Sequence, residues 1–171
     1  MSAPAATAPP PPGTLRLSLA DEAATAALAR RLAGALEPGT VVWLSGGLGV
    51  GKTSFVRELL RSLGHTGRVR SPTFTLLEPY TLPRFPVYHF DFYRFSSAQE
   101  WRDAGFDEYF RGDGACLVEW PEMAGPGLPA PDLHLRLGFA DEVPGSVRRV
   151  ADLEARGDAG RRCLTAAAAA S

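Results

Sequence analysis

Between residues 46 and 53 the chain reads Gly46-Gly47-Leu48-Gly49-Val50-Gly51-Lys52-Thr53, which fits the spacing G-x-x-x-x-G-K-[ST] without a mismatch. The preceding run Thr40-Val41-Val42-Trp43-Leu44-Ser45 is short, apolar and β-branched, the composition of a buried strand. After the glycines, Phe55, Val56, Leu59, Leu60 and Leu63 recur at the 3.6-residue period of a helix, Arg57 and Arg61 fall off that face, and Gly64 supplies the stop. A strand that feeds through glycines straight into a helix restricts the chain to layered α/β architectures.

Glycines in such a loop let consecutive backbone N–H groups turn inward around an anion, with the positive end of the next helix beneath it. Lys52 is the one lysine of the chain, every other basic side chain being arginine. A compact ammonium can reach between β- and γ-phosphates where a planar guanidinium would crowd the loop. The pattern therefore points to a nucleoside triphosphate. Gly46, Gly47, Leu48, Gly49, Val50, Gly51, Lys52, Thr53 and Ser54 are the candidate nucleotide-binding residues, Lys52 is also a catalytic candidate, and the Thr53 hydroxyl is a candidate Mg²⁺ ligand. A glycine-rich turn with an incidental lysine is the competing reading.

The remaining pattern predicts a three-layer sandwich of the phosphate-loop NTPase type, with a mixed, mainly parallel central sheet and antiparallel flanking strands. Thr14 to Leu19 alternates like a half-buried strand, and Asp21 to Leu36 carries Ala24, Leu28, Leu32 and Leu36 at helical spacing before Pro38-Gly39 ends it. Further strands are expected over Phe74 to Leu77, Val87 to Phe92 and Ala115 to Val118. A short helix is expected over Ser96 to Ala104, with Glu100 completing a capping box from Ser97. Leu133 to Phe139 and Val147 to Leu153 alternate as an antiparallel ribbon.

With 171 residues the chain suits one such domain, expected over residues 14–156. Residues 1–13 are Ala/Pro-rich and read as a disordered tail, unlike a secretory signal with its basic start and apolar centre. Residues 157–171 end in alanines and read as a frayed helix or a disordered tail. A formal charge of −1 offers no broad basic surface for a nucleic-acid backbone. No stretch has the length and apolarity of a membrane span. Cys116 and Cys163 lack metal spacing and read as reduced thiols of a cytoplasmic protein.

Phosphoryl chemistry needs carboxylates at strand ends to hold a metal and align a water. In Tyr88-His89-Phe90-Asp91-Phe92-Tyr93-Arg94, strand alternation puts His89, Asp91 and Tyr93 on one face and the phenylalanines on the other. Glu119 follows Cys116-Leu117-Val118, the pattern of a buried strand with an acid at its C-terminal tip. Either acid could lie on the metal side; the plainer alternatives are a surface Asp91 paired with Arg94 and a solvated strand-end Glu119. His89 alone suits a structural hydrogen bond, and Trp120 suits either stacking near a nucleotide or packing. Ser71-Pro72-Thr73-Phe74-Thr75 occupies the place of a γ-phosphate-sensing switch, with Ser71, Thr73 and Thr75 as its hydroxyls, or is a plain serine-proline turn.

Taken together, four blocks in order resemble the TsaE (YjeE) family: Gly46 to Thr53, Ser71 to Thr75, His89-Phe90-Asp91-Phe92-Tyr93-Arg94, and Leu117-Val118-Glu119-Trp120-Pro121. The resemblance runs from about Thr14 to about Leu153. It implies ATP at the loop, Mg²⁺ held by Thr53 and Glu119, and Asp91 acting in hydrolysis through the metal or its water. It also implies a weak ATPase that supports the TsaD–TsaB complex in placing a threonylcarbamoyl group on adenosine 37 of tRNAs reading ANN codons, with tRNA contacted only indirectly. By the same resemblance Glu22, at the start of the first helix, and the neighbourhood of Gly145 and Ser146 lie near the nucleoside. Gly47 departs from the acidic residue common in the family's loop, and 140–144 reads as a local insertion.

Two other functions compete. A small-molecule phosphate-loop kinase shares this size and loop, and Arg84, Arg94, Arg102 and Arg111 could furnish the guanidinium groups of a lid. A GTP-controlled switch would need an N-K-x-D segment, and Lys52 leaves no second lysine to build one.

Overall fold

The computed structural model describes residues 11–141 and 143–169. Most of the tail expected over residues 1–13, and Glu142 within the suspected insertion, lie outside the described residues. Seven strands form one sheet: β1 Thr14–Leu19, β2 Val41–Ser45, β3 Leu77–Tyr80, β4 Val87–Asp91, β5 Ala115–Glu119, β6 Leu133–Phe139 and β7 Arg149–Ala155, in the order β1-β7-β6-β2-β5-β4-β3. The four central strands β6, β2, β5 and β4 run parallel. β7, β1 and β3 add antiparallel edges. The α/β class and the mixed sheet are as expected.

Helices α1 Glu22–Ala35, α2 Lys52–Ser62 and α4 Gly157–Ala168 cover one face, where Leu28, Leu32, Leu44, Phe55, Leu59, Leu117 and Leu135 form the main core. The other face is covered by the four-residue helix α3 Glu100–Asp103 and by 3-10 segments over Phe106–Arg111 and Pro121–Gly127. Its core is aromatic: Phe90, Phe92, Phe95 and Trp101 pack with Cys116 and Val118. The alternation anticipated in β4 is present, because Phe90 and Phe92 enter this second core while His89 and Asp91 face the opposite way with Val87. β2 lies between β5 and β6, its neighbours on either side, so the loop leaving its C-terminal end opens at a switch point of the sheet.

Four expectations need correction. The strand expected over Phe74 to Leu77 begins only at Leu77, because the Leu76 N–H donates to the Pro72 carbonyl at 2.7 Å and Leu76 adopts φ 64°, a left-handed turn that breaks extension. Pro79 is tolerated in that strand because β3 is an edge. The helix expected over Ser96 to Ala104 shrinks to α3, since one Glu100 carboxylate oxygen accepts from the Ser96 N–H, the Ser96 hydroxyl and the Ser97 N–H and holds a turn ahead of the helix. The ribbon's second strand starts at Arg149 and runs to Ala155, two residues later than expected at each end.

The C-terminal segment over 157–168 is a packed helix, neither frayed nor disordered, and the folded unit extends past residue 156. α4 buries Cys163 and Ala167 in the main core. Gly160 lets its backbone come so close to the Asp132 carbonyl that a Cβ would overlap it. Both cysteines are buried, which pushes the Cys116 thiol up to about 12 and the Cys163 thiol up to about 11, so neither forms thiolate at neutral pH. Among the described residues no helix is long and apolar enough to cross a membrane.

Candidate functional site

The loop after β2 is shaped by three glycines at positive φ: Gly46 at 143°, Gly49 at 75° and Gly51 at 109°. A Cβ on Gly46 would overlap the Leu137 carbonyl of β6, so only glycine fits there. Gly51 caps α2 without a side-chain acceptor, which leaves the first-turn N–H groups of the helix for an anion. Lys52 is buried at that N-terminus, its Nζ donating to the Gly46 carbonyl at 2.7 Å and the Gly47 carbonyl at 2.9 Å. Burial lowers its pKa, against the pull of Glu119, Glu122 and Asp91. The Trp120 ring lies 4.1 Å from the same ammonium.

The parallel register sets Asp91 of β4 beside Glu119 of β5. Both acids are buried, with relative exposures of 4% and 2%, so the surface-pair and solvated-tip alternatives do not hold. The Thr53 hydroxyl reaches both Glu119 oxygens, at 3.0 and 3.1 Å. His89 Nε2 lies 2.8 Å from Glu119 Oε1. Asp91 Oδ1 accepts from the Tyr93 N–H at 2.9 Å and Oδ2 from the Thr73 hydroxyl at 3.3 Å. Burial raises the Asp91 pKa, the Tyr93 N–H and Thr73 opposing it and the Glu119 charge adding to it, which makes this carboxylate a stronger proton acceptor than a solvated one. Arg94 makes no pair with Asp91 and lies over the Phe74 ring at 4.3 Å.

Lys52, Thr53, Thr73, Asp91, Glu119 and Trp120 line a cleft of about 320 Å³ with Leu48, Gly49, Gly51, Ser54, Ser71 and Tyr93. Ser71 and Thr73 hydrogen-bond each other at 2.7 Å at its edge. Thr75 turns away to Glu78 and does not line the cleft, because the Pro72–Leu76 turn reverses the chain. Gly51 and Ser54 also border a second cavity of about 440 Å³ that holds Glu22, Arg30, Arg57, Glu58 and Arg149. Glu22 thus adjoins the loop. Gly145 does not line either cavity; it sits in the turn between β6 and β7 at φ 81°. Arg84, Arg94, Arg102 and Arg111 do not line the cleft, so no arginine lid assembles from them over it.

Sequence reasoning underrated His89 and Trp120 and missed Arg149 and His134. The one signal for His89 was its shared face with Asp91. Trp120 takes φ 55°, which aims its ring back under Lys52 and against Tyr93 at 4.9 Å. Behind the loop, His134 Nε2 lies 2.7 Å from the Ser45 hydroxyl, which also reaches Glu122 at 3.3 Å. Burial, then Arg136, pulls the His134 pKa down to about 4 from 6.5. The unfolded chain therefore takes up a proton that the folded one refuses, and stability falls as pH drops from 6.5 to about 4. In urea titrations across that window, His134→Gln is expected to flatten the fall; an unchanged slope would remove His134 as its source.

The donor set suits Mg²⁺: a threonine hydroxyl and buried carboxylates are hard oxygen ligands, and such sites commonly use one or two carboxylates and complete the shell with phosphate and water.

The sequence model of the family described as "Threonylcarbamoyl adenosine biosynthesis protein TsaE" matches residues 19–149. Proteins named tRNA threonylcarbamoyladenosine biosynthesis protein TsaE are also similar to the chain. That of Bacillus subtilis is 43% identical over 111 residues, covering 65% of this chain and 69% of its own. That of Rickettsia felis is 39% identical over 127 residues, covering 74% of each. The crystal structure of Bacillus subtilis YdiB superposes with a TM-score of 0.75 at 31% identity, over 90% of this chain and 93% of that one.

Proposed function

The chain belongs to the TsaE family, and from that premise we propose that it is a Mg²⁺-dependent ATPase which supports threonylcarbamoylation of tRNA adenosine 37 by a TsaD–TsaB complex in the cytoplasm. Membership carries nucleotide binding on a phosphate-loop fold and a place in threonylcarbamoyladenosine biosynthesis. Hydrolysis, the metal and the partner complex are the further reading. The single observation that supports it best is the convergence of Lys52 and Thr53 from the loop with Glu119 and Asp91 from two adjacent strands in one cleft.

In this reading the backbone N–H groups of Gly49 to Ser54 and the start of α2 take the phosphates, and the Lys52 ammonium leaves the Gly46 and Gly47 carbonyls for the β- and γ-phosphate oxygens. Mg²⁺, held by Thr53 and Glu119, would neutralise charge developing on those oxygens. His89 holds the Glu119 carboxylate in place. Asp91, fixed by the Tyr93 N–H and Thr73, orients the attacking water and is suited to accept its proton. The Trp120 ring beneath Lys52 restricts water there.

Reconstitution tests the whole. Multiple-turnover modification of tRNA by the TsaD–TsaB complex, with ATP and Mg²⁺, is expected to rise several-fold when this protein is added and to stay at the basal level with a non-hydrolysable ATP analogue. Equal turnover with and without the protein would refute the assigned role.

A further inference from the structure

Among the described residues, two cations are buried, Lys52 and Arg149, and both donate to carbonyls of the phosphate loop. Arg149 comes from far away in the chain, at the first position of β7, paired with Leu19 of β1 and Phe139 of β6. Its Nε donates to the Val50 carbonyl at 2.6 Å and its Nη1 to the Val147 carbonyl at 2.8 Å. The guanidinium lies so close to the loop that a Cβ on Gly51 would sit 3.4 Å from Nε and 3.8 Å from Nη2. A buried charge is costly unless its donors are used, so this placement calls for a role.

Stereochemistry supplies the role. The described peptide bonds are all trans, and in a trans peptide the C=O of one residue points opposite to the N–H of the next. Holding the Val50 carbonyl outward toward Arg149 therefore turns the Gly51 N–H inward, to the side where the loop and the start of α2 face the cleft. Gly51, at φ 109° and without a side chain, has the backbone freedom to swing that peptide the other way if nothing holds it. We infer that Arg149 is a positioning residue for phosphate capture: it pins the Val50–Gly51 peptide of the loop to the β6–β7 hairpin and so keeps the Gly51 N–H aimed at the bound polyphosphate. This deepens the proposed ATP site and rests on that reading.

The test is Arg149→Met, which keeps the length and loses both donors, with Arg149→Leu, which also loses both, read in the same way if the methionine variant does not fold. Circular dichroism and the thermal midpoint establish folding. Two quantities are then measured: affinity for Mg²⁺–ATP by calorimetry, and amide–water exchange at Gly51 by NMR in the nucleotide-free protein. Affinity is expected to fall about tenfold, in line with loss of a charge-assisted hydrogen bond that orders the loop, and Gly51 exchange to accelerate. Arg149→Lys, able to reach the Val50 carbonyl with a single donor, is expected to recover part of both. Unchanged affinity in a folded variant overturns the inference, as does weakened affinity with unchanged Gly51 exchange, which would make Arg149 a direct ligand contact. If the parental protein binds ATP and Lys52→Ala weakens binding while Arg149→Met does not, this inference alone fails. If Lys52→Ala binds like the parent, the underlying site assignment fails instead.

Discussion

Lys52→Ala is expected to lose ATP affinity by roughly ten- to a hundred-fold, because each charge-assisted hydrogen bond to a phosphate oxygen contributes about 1.5–3 kcal/mol. The loss should appear in binding itself, by calorimetry, as well as in turnover. Nucleotide-free stability should change little: burial already works against the charged form of this lysine, and the Gly46 and Gly47 carbonyls it releases belong to half-exposed and exposed residues that water can reach. Lys52→Arg is not expected to rescue binding. The loop carbonyl 2.7 Å from Nζ and the Trp120 ring 4.1 Å from it hold a compact point charge, whose geometry a planar, longer guanidinium does not reproduce. Affinity within twofold of the parent for the alanine variant would remove Lys52 from the phosphate site.

Glu119→Gln is expected to separate capture from chemistry. The glutamine keeps the shape and can still bond Thr53 and His89, but it removes the negative charge beside which the metal would sit. Mg²⁺-dependent ATP turnover should fall by about a hundred-fold or more, the scale seen when one electrostatic element of a preorganised site is removed, while ATP affinity without Mg²⁺ stays within a few-fold. Alanine is a poorer probe, since it leaves the buried His89 Nε2 without its partner at a cost of about 1–3 kcal/mol. Turnover at the parental rate across a Mg²⁺ titration would end the assignment of Glu119 to the metal.

Much of this site could be read in the chain because its parts are local. The phosphate loop, its strand and its helix lie within residues 40 to 64, where glycine placement and helical period give the succession of strand, loop and helix. The facing of His89 and Asp91 follows from strand alternation, which is equally local. Misreadings came where a nearby side chain or a distant surface overrode local pattern. The Thr75 hydroxyl left the cleft because one turn closes at Leu76. The four-residue α3 reflects a single carboxylate gathering three donors before the helix. The alanine-rich end, featureless by composition, became α4 because its small residues fit closely against β6 and β7 and carry Cys163 and Ala167 into the core.

What the sequence determined by itself is the candidate phosphate-binding segment and the α/β layering around it, since both rest on residues a few positions apart. Tertiary structure alone decided how the charges meet. Thr53 reaches Glu119 across 66 positions of sequence, His89 reaches Glu119 across 30, and Arg149 reaches Val50 across 99. Strand order and register set those meetings. The physical reason is that hydrogen-bond strength depends on tenths of an ångström and on direction, and over such separations only the packed sheet fixes either one.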